Sequence, residues 1–317
     1  MITLEFVYLL MGVMMLGIAL VNLRDRSSRK RYVNAAFWAL YGVTFLAGSR
    51  LPDFVNGLLV IGMVLVMAIG KLGGAPPEAA TRADREASAA KWGNRLFVPA
   101  LAIPVVTLLG TLTLKAVHIG GTPLVDAKQV TLISLGLATV VALIVGMVML
   151  RPPLSAPIIE ARRLMDAVSW AAVLPQMLAA LGTMFALAGV GPIVAGLLER
   201  WIPLDTAFAV VATYTVGMAL FTSVMGNAFA AFPVMTAGIG LPLIVHRFGG
   251  SVVVMAAVGM LSGYSGTLMT PMAANFNIVP AALLELPDEN AVIKVQVPTG
   301  LLLLVANTAI MYFCVFR

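Results

Sequence analysis

The sequence predicts an all-α integral membrane protein of about 8–10 membrane segments, some of them broken or re-entrant. Three observations predict it. The chain has 317 residues, of which 61% are hydrophobic and only 11% charged, and a mean hydropathy of +1.00. That composition excludes a soluble domain built around one buried core. Its apolar runs are about 20 residues long where uninterrupted, and they lack the alternation of an outer-membrane barrel. Finally, the basic residues are grouped. Of the 20 Lys and Arg, five lie in Arg24 to Arg31, five in Lys71 to Arg95 and three in Arg151 to Arg163, with Arg50, Lys115, Lys128 and Arg200 in the loops between. This is the positive-inside pattern with the amino terminus outside, and it makes the net charge of +6 a record of topology and not of nucleic-acid binding.

The first span, Leu4 to Leu23, has no basic stretch before it and a basic cluster after it, the order expected of a retained anchor and not a cleaved signal. Spans follow at Val33 to Gly48 and Phe54 to Gly70, completing an N-terminal three-helix bundle over 1–70. The Gly/Pro-led, polar stretch 71–95 reads as a cytoplasmic linker. Leu96 to Leu114 and Val130 to Leu150 form a two-helix unit, 96–150. In 151–168, Pro152 and Pro153 block a direct helical continuation. Ile158, Ala161, Met165 and Val168 then share a face opposite Arg162, Arg163 and Asp166, the pattern of an interfacial amphipathic connector. The remainder, 169–317, holds a span from Ser169 to Val190 and a short external segment with Trp201 at interfacial depth. It also holds two interrupted apolar stretches, an acidic loop and a last helix from Val297 to Phe316.

The two interruptions carry the function. Thr222 to Met235 and Ser262 to Pro280 place Gly226, Pro233, Gly263, Gly266 and Pro271 as helix breakers at membrane depth. In hydrocarbon each unpaired backbone group costs several kcal/mol, so protein or a water-filled cavity must receive the freed groups. Broken helices of this kind form binding sites in secondary transporters. Thr222, Ser223, Gly226, Asn227, Ser265, Gly266, Thr267, Thr270, Asn275 and Asn277 cluster around the breaks and are the candidate substrate-binding residues. Half-helix amino termini attract carboxylate, and glycines beside them admit close backbone approach. The same small and hydroxylated residues also serve plain helix packing.

No Asp or Glu lies between Thr206 and Pro280, and the other acids fall mostly at helix ends or in loops. The sequence therefore speaks against a self-contained proton relay. Hydroxyl, amide and carbonyl oxygens remain as cation ligands, which suits sodium as a candidate coupling ion. An enzyme is not expected. Gly263 to Gly266 spell the GxSG of intramembrane serine proteases, but the only histidines, His118 and His246, supply no base from a later helix. The same two histidines, neither near a carboxylate in sequence, offer no catalytic or metal site, and the single Cys314 excludes an intrachain disulfide.

The run MGNAFAAFPVMTAGIGLPLI, together with GYSGTLMTPMAANFNIVPAALLELPDENAVIKVQVPTG, resembles a bacterial membrane family long described as a domain of unknown function. Its members are named as the larger subunit of two-component pyroglutamate (5-oxoproline) transporters. The resemblance implies a small cyclic carboxylate as substrate, a smaller companion membrane subunit as partner, no cofactor, and a place in the bacterial inner membrane. The family is similar in turn to ion-transporter-type secondary carriers, which work by alternating access, with amphipathic helices hinging a moving domain against a scaffold. The competing reading is a noncatalytic scaffold or assembly subunit whose partner binds the substrate.

Overall fold

A computed structural model describes residues 1–70, 72, 82–119, 121–284 and 286–317. The chain is an all-α multi-pass membrane protein. Among the described residues, eight helical stretches are long and apolar enough to cross a membrane, and Val252–Thr267 is a shorter apolar helix. The chain divides into two compact units, Met1–Asp166 and Ala167–Arg317, and the division falls inside the 151–168 connector.

The first unit begins with α1 (Leu4–Arg24) and α2 (Arg31–Ala47) packed together. Gly12 and Gly42 set their spacing, because a Cβ on Gly42 would sit 3.2 Å from the Gly12 carbonyl oxygen and 3.1 Å from Leu16. Glycine-mediated approach of this kind is how membrane helices gain dispersion energy where lipid offers no hydrophobic drive. α3 (Asp53–Gly70) lies against α2. The stretch read as a linker holds a helix, α4 (Arg82–Trp92), while residues 71 and 73–81 fall outside the described residues. α5 (Phe97–Thr113) pairs with α6 (Val130–Leu150), with Gly110 facing Ser134. Between them a two-residue hairpin, β1 (His118–Ile119) with β2 (Thr122–Pro123), precedes Leu124, whose carbonyl accepts from Ile2 N at 2.7 Å.

α7 (Ala156–Val168) ends the unit, and it buries two of the charged residues expected on its polar face. Arg162 is 8% exposed and Asp166 1%, whereas Ile159 and Leu164 are each 40% exposed. Arg162 and Asp166 turn inward onto α1 and α2, while Ile158, Ala161, Met165 and Val168 are half-buried and Arg163 pairs with Glu160. Trp38 Nε1 donates to Asp166 Oδ1 at 2.6 Å, and Asn22 Nδ2 donates to the same oxygen at 3.3 Å. Arg162 donates from Nε to Asn22 Oδ1 at 3.1 Å and from its terminal nitrogen to Asp25 Oδ2 at 2.5 Å. Asp25 lies just past α1. The Ser27 hydroxyl and then Arg162 hold its carboxyl down at about 2.

In the second unit a 3-10 turn, Ser169–Ala172, leads to α8 (Leu174–Leu187). The segment expected outside the membrane is instead a helix, α9 (Val190–Trp201), lying against the run that follows Met235. Gly191 and Gly238 are in backbone contact there, where a Cβ on Gly191 would come within 2.8 Å of the Val234 carbonyl oxygen. The side chain of Trp201, read as an interfacial anchor, lies outside the described residues. α10 (Ala207–Met225), α12 (Val252–Thr267) and α14 (Ala291–Cys314) pack on one another and enclose Tyr214, Met218, Met255 and Met311. α14 starts six residues earlier than the sequence indicated and carries Pro298 within it.

Both expected breaks exist. α10 stops at Met225, Gly226 turns with φ 73°, and α11 (Ala228–Met235) begins after Asn227. α12 stops at Thr267, and α13 (Ala274–Leu283) begins after the Leu268–Ala273 turn containing Pro271. Three expected breakers do not break anything. Pro233 lies inside α11, which continues into a π-helical run, Thr236–Arg247, that holds Pro242. Widening to i→i+5 bonds accommodates residues that lack an N–H. Gly263 and Gly266 lie within α12 and serve contact: a Cβ on Gly263 would meet Ala228 at 2.8 Å, and one on Gly266 would meet the Ala219 backbone at 2.9 Å.

Gly266→Val should therefore cost about 1–3 kcal/mol, read as a lower unfolding midpoint of the detergent-solubilised protein, because helix backbone cannot yield as a side chain can. Gly57→Ala, where a Cβ meets nothing within 4 Å, should leave the midpoint unchanged or raise it. A second expectation concerns acid. Asp25 has a folded-state pKa below its ordinary value of 3.8, so its contribution is complete above that value and is lost as pH falls through about 2. Asp25→Asn should flatten the stability-versus-pH curve in that window.

Candidate functional site

The two breaks of the second unit are knitted together by the groups they free. Ser223 O, left without a helical partner when α10 ends, accepts from Thr270 Oγ1 at 2.7 Å. Thr270 Oγ1 in turn accepts from Met272 N at 3.2 Å. Thr267 O and Thr270 O, freed at the end of α12, both accept from Asn277 Nδ2, at 2.9 and 2.6 Å. Ser223 Oγ donates to Ala219 O at 2.9 Å and to Gly266 O at 3.3 Å. The turn at Gly226 presses on this knot, since a Cβ there would collide with the Met272 carbonyl. Buried helix ends in an apolar environment need such internal partners.

Beside the knot lies a cavity of about 470 Å³ lined by Asn227, Ala228, Phe229, Tyr264, Thr267, Leu268, Asn275 and Phe276. Two helix amino termini open onto it, that of α11 at Asn227 to Phe229 and that of α13 at Asn275 and Phe276. First-turn N–H groups and the positive end of each helix dipole face a ligand in such a position. Asn227 Oδ1 caps one of these groups, accepting from Phe229 N at 2.7 Å. The Asn227 amide NH2 is the part of that side chain suited to meet a ligand. Asn275 is exposed, and the rings of Phe229 and Tyr264 meet edge to face with centroids 6.4 Å apart. Amide donors thus sit in aromatic walls, with no carboxylate or ammonium among the lining side chains.

Of the ten residues singled out from the sequence, Asn227, Thr267 and Asn275 line the cavity. Ser223, Thr270 and Asn277 tie the breaks, while Gly226 and Gly266 permit the close approaches. Ser265 Oγ donates to Leu261 O at 3.3 Å and accepts from Asn307 Nδ2 at 3.5 Å. Thr222 is fully buried with an unpartnered hydroxyl, and Asn277 Oδ1 is likewise buried without a partner. Sequence reasoning missed Phe229, Tyr264, Leu268 and Phe276. Tyr264 and Phe276 adjoin the polar site residues Ser265 and Asn275, and Phe229 stands two positions after Asn227; that proximity was the available signal.

One family model, described as "Protein of unknown function (DUF979)", matches residues 5–316. The chain belongs to the DUF979 family. No curated protein and no solved structure matches it significantly. The DUF979 match takes in both compact units and both breaks, so the knot and its cavity lie wholly within the family's domain.

Replacing Asn277 by Ala would leave Thr267 O without a donor, while Thr270 O would keep only the Ala273 N–H at 3.4 Å. A buried unpaired carbonyl costs about 1–3 kcal/mol. Denaturant titration of purified Asn277→Ala should show a loss of roughly 1–3 kcal/mol, and no measurable loss would mean that water replaces the amide.

Proposed function

We propose that the chain is the substrate-binding subunit of a secondary transporter that takes up a small carboxylate, with pyroglutamate (5-oxoproline) the favoured substrate. The observation that carries this reading is the meeting of the α11 and α13 amino termini at one aromatic-walled cavity with Asn227, Thr267 and Asn275 on its lining. Two helix amino termini form a cradle for a carboxylate without a fixed cation, so the anion can leave again. Pyroglutamate adds a lactam with one donor and one acceptor, for which the Asn227 and Asn275 amides are the matching groups. The aromatic walls suit its ring methylenes.

In this reading the protein resides in the bacterial inner membrane with its amino terminus outside, and it works with a smaller membrane subunit. Sodium couples transport through hydroxyl and carbonyl oxygens, and no enzymatic step or cofactor is involved. Alternating access uses the connector in which the two compact units meet along the chain at Asp166 and Ala167.

The scaffold reading draws on a different observation, that seven of the ten polar or small residues at the breaks serve internal bonding and packing and do not line the cavity. The exposed Asn275 separates the two. A scaffold tolerates Asn275→Leu, whereas a carrier loses uptake while still reaching the membrane. Labelled pyroglutamate uptake should be measured in cells lacking their own carrier, with this chain, its companion, or both, and with or without a sodium gradient. Uptake is expected only with both chains. The double variant Asn227→Ala/Asn275→Ala should reduce it by at least about tenfold, the worth of one to two hydrogen bonds. Unchanged uptake in a folded double variant would remove the cavity from the transport path.

A further inference from the structure

The first unit holds a charge arrangement that the carrier reading does not use. Asp166 has a fully buried side chain, yet its cation is shared unequally: Arg162 stands 2.5 Å from Asp25 Oδ2 and donates to Asp166 Oδ2 at 3.4 Å. Among the described residues, the charged groups bonded within this cluster are Arg162, on α7 itself, and Asp25, just past α1. From α2 come Trp38 and no charge. Two carboxylates thus share one guanidinium, and the poorer share falls to the more deeply buried one. The excess negative charge falls on Asp166, whose side chain has no solvent access, whereas Asp25 is partly open; a charge buried in that way is costly and is relieved by taking up one positive charge.

A separate observation points the same way. Asn34, one helical turn before Trp38 on the buried face of α2, is 1% exposed, and its Oδ1 has no hydrogen-bond partner. It is a buried acceptor, on the same face of α2 as Trp38, that is short of one donor hydrogen. The groups already on Asp166 decide which positive charge fits. Oδ1 receives the Trp38 indole N–H and the Asn22 amide N–H, and both would turn positive hydrogen ends toward a metal ion bound there. Oδ2 receives only the longer Arg162 Nε–H bond, at 3.4 Å, and a hydroxyl oxygen formed there can still accept it.

We propose that Asp166 is a proton-binding site, framed by Asn22, Trp38 and Arg162, at which the buried cluster takes up and releases one proton. Protonation converts the Oδ2 carboxylate to a hydroxyl, and the proton comes from and returns to water. Arg162 is then left wholly to Asp25. This gives the chain an ionisable group that its broken helices lack, and it stands whether or not the carrier reading does.

Infrared difference spectroscopy of the purified full-length chain, titrated from acid to alkaline pH, tests this. A protonated-carboxyl signal that varies across that range and disappears in Asp166→Asn is expected. Asp25→Asn, which frees Arg162 to turn toward Asp166, should move the midpoint to about tenfold or more higher proton concentration. Trp38→Phe, which removes the 2.6 Å donor, should move it the other way. These two variants keep the test decisive if Asp166→Asn fails to fold. The proposal is overturned if no carboxyl signal varies in that range, or if neither variant moves the midpoint. Replacing choline by sodium should leave the midpoint in place, and a sodium-dependent displacement would assign the site to a metal cation and overturn the proton.

Discussion

A peptide group released from a helix inside an apolar medium has to find its partner within the protein. The second unit is arranged around that requirement. Breaking α10 and α12 frees Ser223 O, Thr267 O and Thr270 O, and each is taken up by a side chain from the other break or from the start of α13. The two interruptions are therefore one structure. Thr270 spans between them, Asn277 closes the second, and Gly226 is the residue that lets the first turn against Met272 without a collision. Only with the carbonyl ends satisfied in this way can the amino-terminal ends of α11 and α13 be left facing a cavity.

That division of labour explains why the polar residues at the breaks differ so much in burial. Asn277 and Thr270 are buried because they replace lost backbone bonds, whereas Asn227 and Asn275 are at least partly open because they stand at helix starts. Residues of the same chemical type within a few positions of one another thus either replace lost backbone bonds or line the cavity. The dipoles at the two starts add without bringing in a formal charge, which keeps the cost of an empty cavity low.

The helical membrane class and both breaks were legible in the sequence, because continuous apolar runs and a Gly-Asn pair at 226–227 have few other physical explanations. The role of each glycine was not. Gly263 and Gly266 read as breakers, yet they sit inside α12, where their value is the space they leave for Ala228 and Ala219. Sequence cannot separate a glycine that bends a chain from one that admits a neighbour. The polarity of α7 shows a similar limit. The pattern of Ile158, Ala161, Met165 and Val168 against Arg162, Arg163 and Asp166 suggests a charged face turned to solvent, yet Arg162 and Asp166 are buried while the apolar set is only half-buried. Asn22 and Trp38, more than 120 positions earlier, supply the polar lining that draws Arg162 and Asp166 in.

Asn277 carries one further implication. Both hydrogens of its amide are committed, to Thr267 O and Thr270 O, and this fixes which way the group faces in a manner that few asparagines share. Its oxygen is left pointing away as a lone acceptor. The side chain is thereby one-directional: it can receive a hydrogen and never offer one. Fully buried and off the cavity lining, that oxygen can be satisfied only by an O–H or N–H donor, such as an internal water.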